Sequence, residues 1–170
     1  MVATGVASPL TSSVGRLFDA VAALAGVRSV VSYEGQAAVE LEALCDPAVS
    51  GAYPLPVVDH EGMLVLDARE TVGAVLDDVA RDAPDAAIAA RFHNALAVAT
   101  TRACALLAER EGVGVVVLSG GVFQNQRLLA TTTERLERLR LRVLTPRELP
   151  ANDGGISFGQ AAVAAARMAV

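Results

Sequence analysis

The densest concentration of chemically useful groups is Val115-Val116-Val117-Leu118-Ser119-Gly120-Gly121-Val122-Phe123-Gln124-Asn125. Two glycines directly after an apolar, β-branched run let backbone approach a ligand with no Cβ in the way. Amide N–H groups at a strand-to-helix turn can face a phosphate or a sugar hydroxyl. Asn125 adds a side chain with donors and an acceptor, suited to a ribose or a base edge. The same residues also fit a tight turn closed by a capping Asn. The pattern is neither a Walker A loop nor G-x-G-x-x-G.

Three further clusters have similar character. In Ala151-Asn152-Asp153-Gly154-Gly155-Ile156 a carboxylate precedes two glycines and a helix. Asp153 could ligate a metal or hold the ligand end of a crevice; equally, Asn152 or Asp153 could be a plain N-cap. In Thr11-Ser12-Ser13-Val14-Gly15-Arg16-Leu17-Phe18-Asp19, Asp19 sits beside an apolar stripe, as a ribose acceptor or a solvated helix acid. Gly15 inside that helix costs about 1 kcal/mol relative to Ala, which a close ligand or backbone approach would explain. In Ser32-Tyr33-Glu34-Gly35-Gln36-Ala37-Ala38, polar groups surround Gly35 before a helix, as in a ligand loop or an ordinary capped entry.

The elements that must position these clusters follow from periodicity. Residues 1–11 read as irregular. Ser12 or Ser13 caps a helix with Val14, Leu17, Phe18, Val21 and Leu24 on one stripe, stopped at Gly26. An apolar stretch at 30–33 precedes a helix over 37–45 with Val39, Leu41 and Leu44 apolar. Residues 55–58 and 63–66 flank Asp59-His60-Glu61-Gly62 as a hairpin. A helix over 71–81 presents Val72, Val75, Leu76 and Val79 on one face. A long helix over 86–110 carries Ile88, Phe92, Leu96, Ala99, Ala103 and Leu106. The run at 113–118 has no alternation, the pattern of a strand buried on both faces in a parallel sheet. A helix over 128–139, a strand over 141–144, a loop over 146–150 and a helix over 156–168 complete an α/β unit.

Composition narrows the chemistry. The chain has 170 residues, 53% apolar and 4% aromatic, so the core is built from Ala, Val and Leu. All 14 basic residues are Arg, which removes Schiff-base, Walker-lysine and lysine-base chemistry. A net charge of −5 argues against a nucleic-acid groove. Two distant Cys make neither a disulfide framework nor a zinc site. Charges break every apolar stretch before the ~18 residues of a membrane span, and the start has no secretory n-region. The expectation is a cytoplasmic protein. Of the two histidines, His60 reads as solvated and His93 as a helix–helix hydrogen-bonding residue; Cys45 and Cys104 read as core thiols. No Ser-His-Asp set is visible, and the catalytic groups stay unassigned.

Taken in order, TSSVGRLFDAVAALAG, SYEGQAAVELEAL, ARFHNALA, VVVLSGGVFQNQRLL and LPANDGGISFGQAAVAA resemble the C-terminal end of the HypF family of hydrogenase-maturation carbamoyltransferases. The resemblance covers nearly the whole chain; 46–87 is its least diagnostic part. It implies one lobe of the two-lobed actin/sugar kinase/Hsp70-like (ASKHA) fold, Kae1-like and α/β. Residues 1–170 would be that C-terminal lobe, a fragment without the upstream lobe and modules.

The resemblance also implies a reaction. Carbamoyl phosphate and ATP give a carbamoyl adenylate, and the carbamoyl group passes to the C-terminal cysteine of a HypE-type acceptor for cyanide-ligand synthesis. Carried onto matching positions, Asp19 would hold the ribose and Gly35 would line the nucleoside pocket. Ser119, Gly120 and Gly121 would approach the nucleotide, and Asn125 would bind its sugar or base. Asp153 would supply this half's ligand to a divalent metal, Fe or Zn, between the lobes. The other ligands belong to the preceding lobe, so the isolated chain is expected not to turn over. The alternative is a stand-alone nucleotide-binding lobe that acts through a partner without its own catalysis.

Overall fold

The computed structural model describes residues 11–168. The irregular opening expected over 1–11 lies, Thr11 apart, outside the described residues. Helix α1 (Val14–Leu24) starts at Ser13, whose Oγ accepts from the Arg16 amide at 3.4 Å. It ends in paired bonds from Gly26 N to Ala23 O and from Val27 N to Ala22 O, with Gly26 at φ +74°. A Cβ on Gly15 would meet only the Ser13 hydroxyl, at an ordinary 3.6 Å. No close approach by described residues explains that glycine.

Helix α2 (Gln36–Leu44) buries Ala37 and Leu41, whereas the apolar Val39 and Leu44 face solvent. The stretch at 30–33 forms no strand and is exposed. Strands β1 (Val57–His60) and β2 (Met63–Leu66) pair antiparallel, with His60 opposite Met63. Their turn is tighter than expected. Only Glu61 and Gly62 turn, both at positive φ, which suits the right-handed strand twist. His60 is exposed, as expected. Helix α3 (Arg69–Ala80) buries Thr71 and Val75, and leaves Leu76 and Val79 outside.

Helix α4 (Asp85–Glu111) is the axis of the fold. Its 27 residues span about 40 Å at 1.5 Å per residue. The first half is buried nearly all round, because α2, α3 and a later helix pack on α4, while the hairpin meets its far end, where Arg110 donates to the Gly62 carbonyl. Alanines at 89, 90, 95, 97 and 99 allow those close approaches. Phe92 meets Phe18 of α1 edge-on, with centroids 5.0 Å apart. Asn94 donates to the Val49 and Gly51 carbonyls and so ties down the segment after α2. Further along, Leu106 is exposed, so the expected stripe is covered only at its N-terminal end.

Strand β3 (Val115–Val117), helix α5 (Gln126–Arg138) and strand β4 (Arg142–Leu144) form a parallel βαβ unit, with Val116 opposite Val143. The expectation of a strand covered on both faces fails in this chain. Val115 and Val117 point outward, Val117 at 63% exposure, because the sheet has two strands and its helices cover one face. Helix α6 (Ile156–Met168) has the expected bounds and no buried residue. Neither thiol is fully in the core. Cys45 and Cys104 are both half-buried. No described helix is long and apolar enough to cross a membrane.

Candidate functional site

The chain leaves β3 through Leu118, whose amide still pairs with the Leu144 carbonyl at 2.9 Å. Gly120 then takes φ +102°, ψ 160°, a region closed to residues with a Cβ. A 3-10 turn over Gly121–Gln124 follows, closed by Phe123 N to Gly120 O at 3.0 Å and Asn125 N to Val122 O at 3.2 Å. Among the described residues nothing accepts from the Gly121 and Val122 amides. Ser119, Gly120 and Gly121 are exposed. Two free N–H groups at the carboxyl end of a parallel strand suit a phosphate or hydroxyl oxygen.

The second glycine loop returns to the same place. The Ala151 carbonyl accepts from the Gly120 amide at 2.7 Å and from Ser119 Oγ at 3.4 Å. Asn152 Oδ1 caps the Gly154 amide at 3.1 Å. A Cβ on Gly155 would stand 2.7 Å from the Pro150 carbonyl oxygen, so the loop closes only around glycine. A cleft of ≈350 Å³ opens between Leu118, Phe123, Gln124, Leu129, Pro146 and Ala151. It lies at the carboxyl ends of β3 and β4, where open α/β sheets take their ligands.

Asp153 is exposed on this loop. Among the described residues no group of three His, Cys, Asp or Glu side chains converges to hold a metal ion. One carboxylate does not hold a resident divalent ion, which needs about four donors. This chain by itself does not fit the metal.

Asn125 takes the capping position that the sequence offers beside a ligand contact. It is 8% exposed, beneath the turn. Its Oδ1 accepts from the Leu128 amide at 2.8 Å and caps α5. Its Nδ2 donates to His93 Nε2 at 2.8 Å. Both polar atoms are thus committed inside the protein. His93, on α4, is the helix-joining residue expected, but its partner was not legible. Its Nδ1 lies 2.8 Å from the Ala89 carbonyl and 3.2 Å from Cys45 Sγ. Burial holds the imidazole below the ordinary histidine value. Burial likewise pushes the Cys45 thiol up to about 11.

Glu42 of α2 is a residue that sequence spacing misses. Its carboxylate accepts from the Arg127 amide at 2.9 Å in the first turn of α5. It occupies the positive end of that helix, where a phosphate would otherwise fit. The anion-facing donors are therefore those of the glycine turn rather than those of α5. No local signal could reveal a pair 85 residues apart.

Asp19 lies midway along α1, half exposed, with Arg16 at 3.9 Å. Helix α1 packs against the 3-10 turn. Its Phe18 ring centroid is 5.2 Å from that of His93, and the only described partner of Asp19 is Arg16. Gly35 is the left-handed N-cap of α2, at φ +82°, in open space. Among the described residues no hydrogen bond joins it to the glycine turn. It lies about 10 Å along α2 from Glu42, seven residues at 1.5 Å each. The structure thus brings together Ser119, Gly120, Gly121 and Asn125 with the loop of Asp153. Among the described residues no hydrogen bond joins Asp19 or Gly35 to them.

The sequence model of a family described as a carbamoyltransferase Kae1-like domain, second subdomain, matches residues 1–160. The carbamoyltransferase HypF of Synechocystis sp. is 41% identical over 154 residues, covering 90% of this chain and 19% of that protein. That of Rhizobium leguminosarum bv. viciae is 39% identical over 166 residues, covering 96% of this chain and 21% of that protein. The crystal structure of a full-length HypF in the phosphate- and nucleotide-bound form superposes with a TM-score of 0.86 at 40% identity. That superposition covers 90% of this chain and 20% of that one. The chain spans about a fifth of the length of these curated relatives.

Proposed function

The chain belongs to the HypF carbamoyltransferase family, as the second subdomain of its Kae1-like domain, and on that premise we propose that it is the nucleotide-facing lobe of an ATP-dependent carbamoyltransferase. Residues 1–170 would form the C-terminal lobe. Carbamoyl phosphate would lose phosphate to water to give carbamate, whose oxygen would attack the α-phosphorus of ATP and displace pyrophosphate, giving carbamoyl adenylate. Transfer from carbamoyl adenylate to the C-terminal cysteine of a HypE-type acceptor would then form a thiocarbamate and release AMP.

The observation that carries this reading is the Ser119–Gly121 turn, with two unpartnered amides, clamped to Ala151 at the carboxyl ends of the parallel strands. The Gly121 and Val122 amides would donate to phosphate or ribose oxygens, and Gly120 and Gly121 leave room for them. Asp19, on α1, would accept from ribose hydroxyls. Gly35 would border the nucleoside from the entry of α2. Asn125 would act from beneath, fixing the turn rather than touching the base. Asp153 would contribute one ligand to a set completed outside this chain. The work of such a lobe is positioning and electrostatics.

Catalysis would need the upstream lobe as well. A second reading is a nucleotide-binding lobe that acts through a partner without its own chemistry. Calorimetry with ATP on wild type and Gly121→Ala tests nucleotide binding. Mixing the chain with a separately expressed upstream portion of a relative separates the two readings, since only the first restores transfer.

A further inference from the structure

His93 is the polar group under the glycine turn that the functional reading leaves idle. It is 1% exposed, and both ring nitrogens are engaged. Chemistry fixes their roles. The Leu128 amide is a donor, so the Asn125 atom 2.8 Å away is Oδ1. That turns Nδ2, a donor only, toward His93 Nε2. Nε2 is therefore the bare nitrogen, and Nδ1 carries the hydrogen and donates it to Ala89. Cys45 Sγ lies beside an N–H already directed elsewhere, so no thiolate–imidazole exchange is set up.

We propose that His93 is a positioning residue that makes the glycine turn pH-sensitive: the neutral ring holds Asn125, and protonation releases it. The inference rests on the turn being the nucleotide-facing element. A protonated ring carries hydrogen on both nitrogens, so Nε2–H would face Asn125 Nδ2–H across 2.8 Å in a buried site. Two buried donors with no acceptor between them are strongly unfavourable. Asn125 is both the cap of α5 and the residue that closes the 3-10 turn through its amide to Val122. Losing its hold therefore moves Gly121–Gln124.

The groups around the ring set the balance. Glu42 of α2 favours the protonated form and Arg127 of α5 opposes it. Cys45 presents a thiol, and α1 presents only the Phe18 ring. Burial is the largest influence and keeps the ring neutral near pH 7.

The test is nitrogen NMR on the labelled chain, following the His93 ring and the Gly120, Gly121 and Val122 amides from about pH 7.5 to about 5. The expected result is an Nδ1–H tautomer at the upper pH. The turn amides then shift together with His93, through one midpoint below 6.5. His93→Gln offers a carbonyl acceptor that does not titrate; its turn amides keep their neutral-pH positions throughout. His93→Leu has no acceptor, and its turn amides are displaced at every pH. If that variant fails to fold, the wild type and His93→Gln decide. An Nε2–H tautomer, turn amides that ignore the His93 titration, or a titration that survives in His93→Gln would overturn the proposal. ATP affinity of wild type should fall by up to about tenfold per pH unit below the midpoint, the limit for one linked proton, and that of His93→Gln should stay level. If ATP binds neither protein at any pH while the amides titrate as described, the nucleotide reading fails and the His93 coupling stands.

Discussion

The amide of Gly120 donates to the carbonyl of Ala151 at 2.7 Å, joining two glycine loops that are far apart in sequence. Each loop follows a strand of the parallel pair, so the bond closes the mouth of the cleft at the strands' carboxyl ends. Gly120 is positioned by it, whereas Gly121, one residue on, keeps its amide free.

The two glycines that bracket this mouth respond oppositely to alanine. A Cβ on Gly121 meets nothing within 4 Å, and its φ is ordinary, so Gly121→Ala should unfold at the wild-type temperature. If the turn faces ATP, that Cβ points at the ligand and calorimetric affinity drops by tenfold or more, about 1.4 kcal/mol. Gly155→Ala forces a methyl against the Pro150 carbonyl oxygen and should cost about 1–3 kcal/mol by urea denaturation. An equal, small effect of both would separate the mouth from the binding site.

Acid should weaken the fold through His93. Its folded value is depressed, so between that value and 6.5 the unfolded chain binds the extra proton. The contribution is fully present above about pH 6.5 and lost as pH falls below it. Urea midpoints measured across this range should decline in wild type, and His93→Gln should remove that part of the decline.

The Cys45 thiol, pushed up to about 11 by burial, should be slow toward iodoacetamide at about pH 8, where an ordinary thiol is partly ionised. Burial also raises Cys104. Mass spectrometry should find both unmodified in the folded chain and both alkylated in urea. Rapid labelling of Cys45 alone would mean that the His93 side of the core opens.

Tyr53 Oη donates to Asp78 at 2.6 Å, and Arg91 pairs with the same carboxylate. The Tyr53 hydrogen bond, with Arg91 beside it, holds the Asp78 carboxyl below the usual carboxylate range. Tyr53→Phe should cost about 1–2 kcal/mol by urea denaturation, without touching nucleotide affinity, because this cluster ties α3 to α4 away from the glycine turn. A matching loss of ATP binding would show that the two regions are coupled.

Much of this fold was legible because local chemistry agreed with it. Ser13 and Gly26 marked the ends of α1, and the bounds of α6 follow directly from the residues after Gly155. The glycine turn also stood where the strand ended. Burial was less legible. Val115 and Val117 read as core and lie bare, because the pattern of a sheet says nothing about which layers one chain supplies. The capping bond of Asn125 to Leu128 is legible in the sequence, whereas its bond to His93 depends on the packing of α4 against α5 and is not. Glu42 at the start of α5 gave no sign at all, since only the packing of α2 brings it there.

The most direct test of the central claim mixes this chain with the upstream portion of a HypF relative, carbamoyl phosphate, ATP and a HypE-type acceptor. The acceptor is then read by intact mass. One carbamoyl group should be added only when both pieces are present, and less when this chain carries Gly121→Ala. Absence of transfer from pieces shown by size-exclusion chromatography to associate, or transfer by this chain alone, would contradict it.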